Sequence, residues 1–269
     1  MNEVKADKRL GQHFLHDENV ITRLMAVIAP KHGDAILEIG PGLGALTLPV
    51  LRQSGALTAV EFDTRVLAPL AKKATGIGSL HLIHADILDM NFAQLAAEQG
   101  REDIHWRLIG NLPYNLSSPI LFHCLAQRHV IQDMHFMLQK EVVERIVAGP
   151  GSKTYGRLSI MAQLYCEASA LFDIPPDAFT PAPRVDSAIV RLIPRTSLAW
   201  QIDDLDTFAD TVRLAFAQRR KMLRHTFGKW FDSAALAAID IEPTARAETL
   251  DGAAFARLAN IRYRQEHHI

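Results

Sequence analysis

The segment GNLPYNLSSPI at positions 110–120 places an amide, a rigid bend and an aromatic ring directly after an apolar run. The side-chain oxygen of Asn111 and the backbone carbonyl of Leu112 can both accept hydrogen bonds, so together they can orient an amino group. Tyr114 can stack on a base that has left its helix. The segment therefore predicts a site that holds an aromatic amine for reaction, and a structural turn with a core tyrosine is the simpler alternative.

Three other predicted strands end in residues that suit an adenosine. Glycines at positions 40, 42 and 44 allow a ligand to approach the backbone where the next helix begins. Glu61 follows Gly40 by about 20 residues and can accept hydrogen bonds from both ribose hydroxyls. Asp86 can accept from the exocyclic amine of adenine. A tight turn, a surface glutamate and a helix N-cap would each explain one position, but the three together predict an adenosine pocket.

If the ligand of the adenosine pocket is S-adenosylmethionine, the loop after the fourth strand acquires a chemical role. The sulfonium methyl is already an activated electrophile, so the acceptor amine needs position and an available lone pair rather than a strong base. Hydrogen bonds from adenine N6–H to Asn111 and to a carbonyl near Leu112 would hold the amine in line and favour a more tetrahedral nitrogen. The glycine spacing G-x-G-x-G also differs from the G-x-G-x-x-G expected for a dinucleotide.

A parallel sheet is needed to bring these residues to one place. Short apolar runs alternate with helical patterns over the first 150 residues, which is typical of βαβ units in an α/β fold. In such a sheet, ligands bind outside the carboxyl ends of the strands. The predicted strands lie at 35–40, 56–63, 80–86, 106–111 and 134–139, and helices are predicted at 44–55 and 64–75.

The pattern changes after residue 150. Two strands, at 166–176 and 187–194, flank the proline-rich loop FTPAPRVD, and the segment 195–206 has the character of a linker. From Thr207 the chain has a helical pattern to its end. We therefore expect one large domain, residues 1–199 with an N-terminal arm over 1–16, followed by a small helical domain, residues 200–269.

The amino-acid composition narrows the possible classes of protein. Apolar residues make up 48% and charged residues 22% of 269 residues, which is ordinary for a globular protein with a real core. The two cysteines, Cys124 and Cys166, cannot form a disulfide framework, and the start of the chain lacks an apolar signal segment. We expect a cytoplasmic protein, monomeric by default and without a membrane span. The 12 histidines are scattered without ligand spacing, so no metal site is expected.

The motifs as a set resemble the KsgA/RsmA family of ribosomal RNA adenine dimethyltransferases. The resemblance rests on GQHFL, EIGPGLGALT, EFD, HADIL, GNLPYNLSSPI, HFMLQKEVVERIVAGPGSKTYGRLS and FTPAPRVDSAIVRL, which run in family order from residue 11 to 192. It implies a Rossmann-like class I methyltransferase domain with a small helical C-terminal domain. It also implies transfer of two methyl groups to N6 of each of two adjacent adenosines in the 3′-terminal hairpin of 16S rRNA, in the small ribosomal subunit.

The resemblance assigns roles to particular positions. The implied cofactor-binding residues are His13, Leu15, Gly40, Glu61, Asp86 and Asn111. The implied catalytic residues are Asn111, Leu112, Tyr114 and Phe179, with Tyr114 and Phe179 enclosing the target base. Family members often carry asparagine where this chain has His13, so a backbone contact to the cofactor transfers to this position more directly than a side-chain role does.

A net charge of −1 requires that RNA be held by a local basic patch. Residues 213–229 contain six Lys and Arg and no acid. On one continuous helix, Arg213, Arg220 and Arg224 would share a stripe. With Lys221 they form the predicted RNA-binding surface, which would position phosphates without reading sequence. The alternative is an ordinary solvated helix face.

Three other functions compete with a small-subunit dimethyltransferase. A non-catalytic, rRNA-binding assembly factor would use the same basic patch, but the intact Asn111-to-Tyr114 segment favours catalysis. A large-subunit rRNA adenine methylase would share the motifs, although the basic C-terminal segment and FTPAPRVDS fit the small-subunit branch better. An NAD-dependent oxidoreductase is disfavoured by the glycine spacing.

Overall fold

The computed structural model describes residues 4–101, 103–219 and 221–268. The chain forms two compact units. The first comprises the residues up to Val143 together with Ser169–Pro194, and the second comprises Glu144–Ala168 together with the residues from Arg195 onward. The residues that were predicted to do chemistry all belong to the first unit.

A seven-stranded sheet carries the site. Its strand order is β4-β3-β2-β5-β6-β9-β7. Strands β2 to β6 pair in parallel, and β9 pairs antiparallel with β6. A separate antiparallel pair joins β1 to β8. The strands are β1 (Phe14–Leu15), β2 (Ile36–Ile39), β3 (Ala56–Glu61), β4 (Ser79–His84), β5 (Trp106–Asn111), β6 (Ile131–Gln139), β7 (Cys166–Ile174), β8 (Phe179–Thr180) and β9 (Ser187–Pro194).

Helices follow most of the parallel strands, as the alternating pattern predicts. Several begin at an aspartate or asparagine whose side chain accepts from the free N–H groups of the first turn, among them Asp17, Asp63 and Asn91. The helices are α1 (Glu18–Ile28), α2 (Thr47–Ser54), α3 (Thr64–Ala74), α4 (Phe92–Glu98), α5 (Ser117–Ala126), α6 (Lys140–Val147), α7 (Arg157–Tyr165), α8 (Leu205–Ala217), α9 (Leu223–Thr226), α10 (Ser233–Ala237) and α11 (Gly252–His267).

The central strands are buried along nearly their whole length, which explains why their sequences are predominantly apolar. At the amino end of β5, the buried Arg107 closes a polar cluster. Its guanidinium bonds Asp34 at 2.7 Å, Asp133 at 2.9 Å and the carbonyl of Ile28 at 2.7 Å. These bonds tie β2, β5, β6 and the end of α1 together at the edge opposite the carboxyl ends of the strands.

The second unit contains residues that the sequence alone assigned to the larger domain. Helix α7 packs on α8, and α8 packs on α11. The backbone N–H of Gly151 donates to the carbonyl of Glu248 at 2.7 Å, and Arg219 donates to the carbonyl of Lys153 at 2.7 Å. These contacts place 144–168 with the C-terminal helices, so the compact units differ from the division at residue 199.

The continuous basic helix expected from Arg213 to Arg224 does not form. Helix α8 ends at Ala217 because Gln218 takes φ −128° and ψ 50°. Met222 is then extended and pairs with Arg246, and α9 begins only at Leu223. The prediction of helix from Thr207 to the end is accordingly corrected to four helices with irregular segments between them in the part of this region that the structure describes. No helix among the described residues is long and apolar enough to cross a membrane.

Candidate functional site

A cavity of about 260 Å³ opens at the carboxyl ends of the parallel strands. The glycine turn after β2, Glu61 at the end of β3, Asp86 after β4 and the segment Asn111–Tyr114 after β5 all contribute to its lining. The N-terminal segment 9–15 lines it as well. The topology thus brings together the strand ends that the sequence identified, in agreement with the rule for open α/β sheets.

The glycine turn needs left-handed backbone angles at two crowded positions. Gly42 has φ +52° and a Cβ there would lie 3.2 Å from the ring of Phe14. Gly44 has φ +88° and a Cβ there would lie 2.5 Å from the end of the Leu70 side chain, which would have to move. Any other residue would therefore be strained at these backbone angles. The turn keeps a bare backbone surface facing the cavity.

Glu61 is held in place by the turn beside it. Its Oε2 accepts from the backbone N–H of Gly42 at 3.1 Å, and its Oε1 accepts from the N–H of Asp63 at 2.8 Å. Burial raises the pKa of Glu61, while these two N–H groups act in the opposite direction. Each carboxylate oxygen can accept more than one hydrogen bond, so the group retains capacity for ribose hydroxyls.

Glu38 is a further acidic residue of the cavity, and the sequence analysis did not select it. It lies within β2 and is 2% exposed, and its Oε2 has no hydrogen-bond partner. Burial raises the pKa of Glu38 to about 8, and the neighbouring charge of Glu61 contributes to the increase. The carboxyl is therefore mainly protonated at pH 7. An acid inside the fully buried strand ILEI was the signal that could have identified it.

Asp86 has the N-cap role that was one of the two interpretations open for it. Its Oδ1 accepts from the N–H of Leu88 at 2.9 Å and so caps the short 3₁₀ helix Ile87–Asp89. Asp86 also lines the cavity. Phe62 lines the same cavity with 59% of its surface exposed, which is unusual for phenylalanine. Phe62 was not predicted from the sequence, where it reads as an ordinary residue after a strand.

Asn111 ends β5 with its amide oriented by one specific contact. Its Nδ2 donates to the backbone carbonyl of His13 at 2.9 Å. Because the amide nitrogen faces His13, the side-chain oxygen is the group left for a ligand. The backbone N–H of Leu112 donates to Met137 at 3.2 Å, and the Leu112 side chain is buried. These contacts hold the loop to the N-terminal segment and to β6.

Tyr114 is half-buried at the rim of the cavity. Its hydroxyl shares a 2.6 Å hydrogen bond with Ser187 Oγ at the start of β9. Its ring stacks on the imidazole of His13, with centroids 5.4 Å apart and planes 26° apart. Burial raises the pKa of the Tyr114 phenol above its ordinary value, so it remains a neutral hydroxyl at pH 7. The ring is thus held at its tip and on one face.

The remaining cofactor and base-binding predictions fall on β1 and β8. Leu15 is opposite Phe179 in this two-stranded pair, and Phe14 is opposite Thr180. Leu15 lines the cavity, whereas Phe179 is 2% exposed and packs in the apolar core of the first unit. The structure therefore brings Tyr114 to the cavity, but it does not place the Phe179 ring in the cavity wall.

The predicted RNA-binding residues are in different environments. Arg213 pairs with Asp210 three residues earlier on α8, so its charge is partly neutralised. Lys221 and Arg224 are exposed, on either side of the start of α9. Arg220 lies outside the residues that the structure describes. In the described structure the patch is therefore carried by an irregular segment and a short helix, not by one helical stripe.

The fold is that of the class I methyltransferases. A dimethyladenosine transferase from Plasmodium falciparum superimposes with a TM-score of 0.78 at 24% identity, covering 96% of this chain and 99% of the other. The 23S rRNA methyltransferase ErmE superimposes with a TM-score of 0.73 at 23% identity, covering 92% and 98%. At these identities the similarity concerns the fold.

Sequence comparison then defines the family. Residues 3–263 match the model of the ribosomal RNA adenine dimethylase family. The chain is 60% identical to ribosomal RNA small subunit methyltransferase A of Dichelobacter nodosus over the full length of both proteins. It is 53% identical to the protein of that name from Xanthomonas oryzae, over 95% of this chain and 96% of the other. The chain belongs to the ribosomal RNA adenine dimethylase family and is a methyltransferase.

Proposed function

We propose that this protein transfers methyl groups from S-adenosylmethionine to N6 of two adjacent adenosines in the 3′-terminal hairpin of 16S rRNA, giving N6,N6-dimethyladenosine. The carrying observation is the orientation of Asn111, whose amide nitrogen is bound by His13 while its oxygen is left for an amine. The family and the full-length relatives named as small-subunit methyltransferases support the same substrate. We further propose that the protein acts on the small ribosomal subunit as a cytoplasmic monomer.

The residues that line the cavity fit S-adenosylmethionine. Glu61 would accept from the ribose hydroxyls, and the second oxygen of Asp86 would accept from the adenine amine. The exposed ring of Phe62 offers an apolar surface beside Glu61. The backbone of His13 and Leu15 would cover the cofactor, and the turn at Gly40 would approach it closely. When bound, S-adenosylmethionine supplies an activated methyl group.

Asn111 and Leu112 act on the acceptor amine. The Asn111 side-chain oxygen and the Leu112 carbonyl accept from the two N6–H groups, which holds the nitrogen lone pair toward the donor. Orientation of this kind can supply several kcal/mol of the barrier reduction, up to about 7–11 kcal/mol in favourable cases. After the first methylation, N6 keeps one N–H. Either the Asn111 oxygen or the Leu112 carbonyl can accept from it, so one hydrogen bond still holds the monomethylated amine.

Tyr114 holds the base by stacking, since the target adenine must leave its helix to reach the cavity. Phe179 is proposed as the second ring against the base, as the family resemblance implies. Its ring is buried beneath the pairing of β1 with β8, so this role requires the pair to shift and uncover it. A Phe179→Leu variant that keeps the core filled but weakens substrate binding would support this role.

The second unit is proposed to hold RNA through Lys221 and Arg224, with Arg213 and Arg220 as further contacts. Lys221→Glu with Arg224→Glu should weaken binding to small subunits by roughly tenfold and lower its salt dependence, because phosphate contacts release counterions. Arg52→Glu, on an exposed position of α2, is a control for charge reversal elsewhere. Equal weakening by that control would show that net charge, not this patch, determines binding.

The proposed reaction is tested by labelled methyl transfer into undermethylated small subunits, with large subunits and DNA in parallel. Label recovered as N6,N6-dimethyladenosine from small subunits alone is the expected result. Label in large subunits alone would instead identify a large-subunit methylase. Tight binding to small subunits without label, alongside an active control enzyme, would identify a non-catalytic assembly factor.

A further inference from the structure

His13 connects three parts of the site through three different groups. Its backbone carbonyl accepts from Asn111 Nδ2 at 2.9 Å. Its ring stacks on Tyr114 at 5.4 Å between centroids. Its Nδ1 lies 2.6 Å from the carbonyl of Pro181, in the loop that follows Phe179. The residue thus touches the amine-orienting loop, the base-stacking ring and the loop before β9.

The hydrogen bond to Pro181 determines that Nδ1 of the imidazole carries a hydrogen and in which plane the ring lies. A carbonyl oxygen can only accept, so Nδ1 must carry the hydrogen and donate it. Nε2 is then free of that bond, and the ring plane is fixed by the donor direction. The fixed plane is the one that lies at 26° to the ring of Tyr114. The hydrogen bond and the stacking contact therefore specify a single orientation of His13.

Tyr114 is fixed from both sides as a result. At its tip, the hydroxyl is bound to Ser187, whose own side chain is buried. On one face, the ring is covered by His13, within the 4.5–7 Å distance at which aromatic pairs attract. A ring held in this way presents its opposite face without having to be ordered when a base arrives, which lowers the entropy cost of binding.

We propose that the His13 side chain is a positioning residue for the target base: it supports the ring of Tyr114, while only the backbone of His13 serves the cofactor. This inference rests on the proposed methyl transfer. It separates the two roles of one residue by atom: the carbonyl orients Asn111, and the imidazole orients Tyr114.

The roles of ring and hydrogen bond are separable by substitution. His13→Phe keeps an aromatic ring and loses the donor to Pro181. His13→Asn keeps a short polar side chain and loses the ring, and His13→Ala loses both. His16→Ala is the matched control, since His16 lies in the same segment with an exposed side chain and its backbone N–H holds the 3.0 Å bond to Ala178.

The variants are compared with wild type in methyl transfer to undermethylated small subunits and in calorimetric binding of S-adenosylmethionine. We expect His13→Ala to lower kcat/KM for the subunit about tenfold, mainly through KM, while the cofactor Kd changes less than about twofold. His13→Phe should recover most of this loss, whereas His13→Asn should recover little. His16→Ala should behave as wild type.

Three results would overturn the inference. Equal losses in cofactor affinity and in kcat/KM would assign the side chain to the cofactor. A lower KM in His13→Ala would mean that the imidazole occupies the place of the base. Wild-type kinetics in His13→Ala would remove any role. If wild type itself fails to label the subunit, the proposed reaction fails, which is a separate outcome from these three.

Unstacking of the target base can be measured directly. Replacing the target adenosine in a hairpin RNA with 2-aminopurine reports its unstacking through fluorescence. Wild type and His13→Phe should give the same bound-state signal, and His13→Ala should give a weaker or more heterogeneous one. Melting temperatures within about 2 °C of wild type would exclude loss of fold as the cause, and an unchanged 2-aminopurine signal in His13→Ala would contradict the inference.

Discussion

Two buried polar groups toward opposite ends of the same parallel sheet, Arg107 and Glu38, differ in their hydrogen-bond partners. At the amino end, Arg107 has its guanidinium bound by Asp34, by Asp133 and by a backbone carbonyl. At the carboxyl end, Glu38 has an oxygen without a partner, and the side-chain oxygen of Asn111 is the group proposed to hold a ligand. Satisfied groups stabilise a fold, whereas groups left short of partners are suited to a ligand. The contrast holds for Arg107 and Glu38, whereas His135, buried in β6, also lacks hydrogen bonds at both ring nitrogens.

Removal of the Asn111 amide should produce the largest effect and should be confined to activity. We expect Asn111→Ala to lower kcat for methyl transfer about a thousandfold, as does loss of a group that orients the reacting atoms. The melting temperature should change little, because the amide makes one side-chain bond, to the carbonyl of His13. Steady-state kinetics and calorimetry measure both. A variant that unfolds while keeping its specific activity would reverse the comparison.

Arg107→Met should have the complementary effect at the amino end. Removing one partner of a buried ion pair leaves Asp34 and Asp133 without their cation, which costs about 4 kcal/mol in the free energy of unfolding. Denaturant titration measures the loss. Binding of S-adenosylmethionine to the variant that remains folded should be unchanged, and a large loss of affinity would show that the two ends are not separable.

Glu38→Gln should change how stability depends on pH. The pKa of Glu38 is about 8 in the folded chain and 4.5 as the ordinary value, so its contribution is fully present below pH 4.5 and is lost as pH rises to 8. Relative to the variant, wild type should lose about 3 kcal/mol between pH 4.5 and pH 7. Denaturant titrations of both proteins at a series of pH values give this difference. A difference that does not vary with pH would show that the buried carboxyl does not have a raised pKa.

His135 should give a smaller effect of opposite sign. It is buried in β6 near Asp133 and Arg107, and burial lowers its pKa to about 4 from 6.5, although the charge of Asp133 acts against this. Its contribution is therefore present above pH 6.5 and is lost as pH falls toward 4. Relative to His135→Leu, wild type should lose about 2.5 kcal/mol over that interval. Equal acid sensitivity of the two proteins would contradict the lowered pKa.

Much of the first unit could be predicted because its local patterns agree with its topology. The strands around Ile36, Leu57 and Leu108 are continuous apolar runs between glycine or aspartate breaks, and the parallel order then brings Glu61, Asp86 and Asn111 together. The position of Phe179 could not be obtained in this way. Its burial depends on the pairing of β8 with β1, a contact between distant segments that leaves no local pattern.

The second unit was predicted less well for a related reason. The stretch from Arg213 to Lys229 has helical composition throughout, but Met222 pairs with Arg246 and interrupts the helix. Tertiary pairing therefore overrode local propensity. Glu38 was missed for a different reason: the sequence shows an acid within a mainly apolar strand, but its complete burial becomes evident only in the structure.

The pairing of β1 with β8 has a consequence for synthesis of the chain on the ribosome. Leu15 and Phe179 pair across β1 and β8. This two-stranded pair therefore cannot form until both residues have been translated and have left the exit tunnel. At about 5–20 residues per second, the interval between them is on the order of 10–30 s. During that time the strands proposed to bind the adenosine can already pair, but Tyr114 still lacks Ser187. A nascent chain of this enzyme can therefore assemble the proposed cofactor half of its site well before the proposed base-holding half.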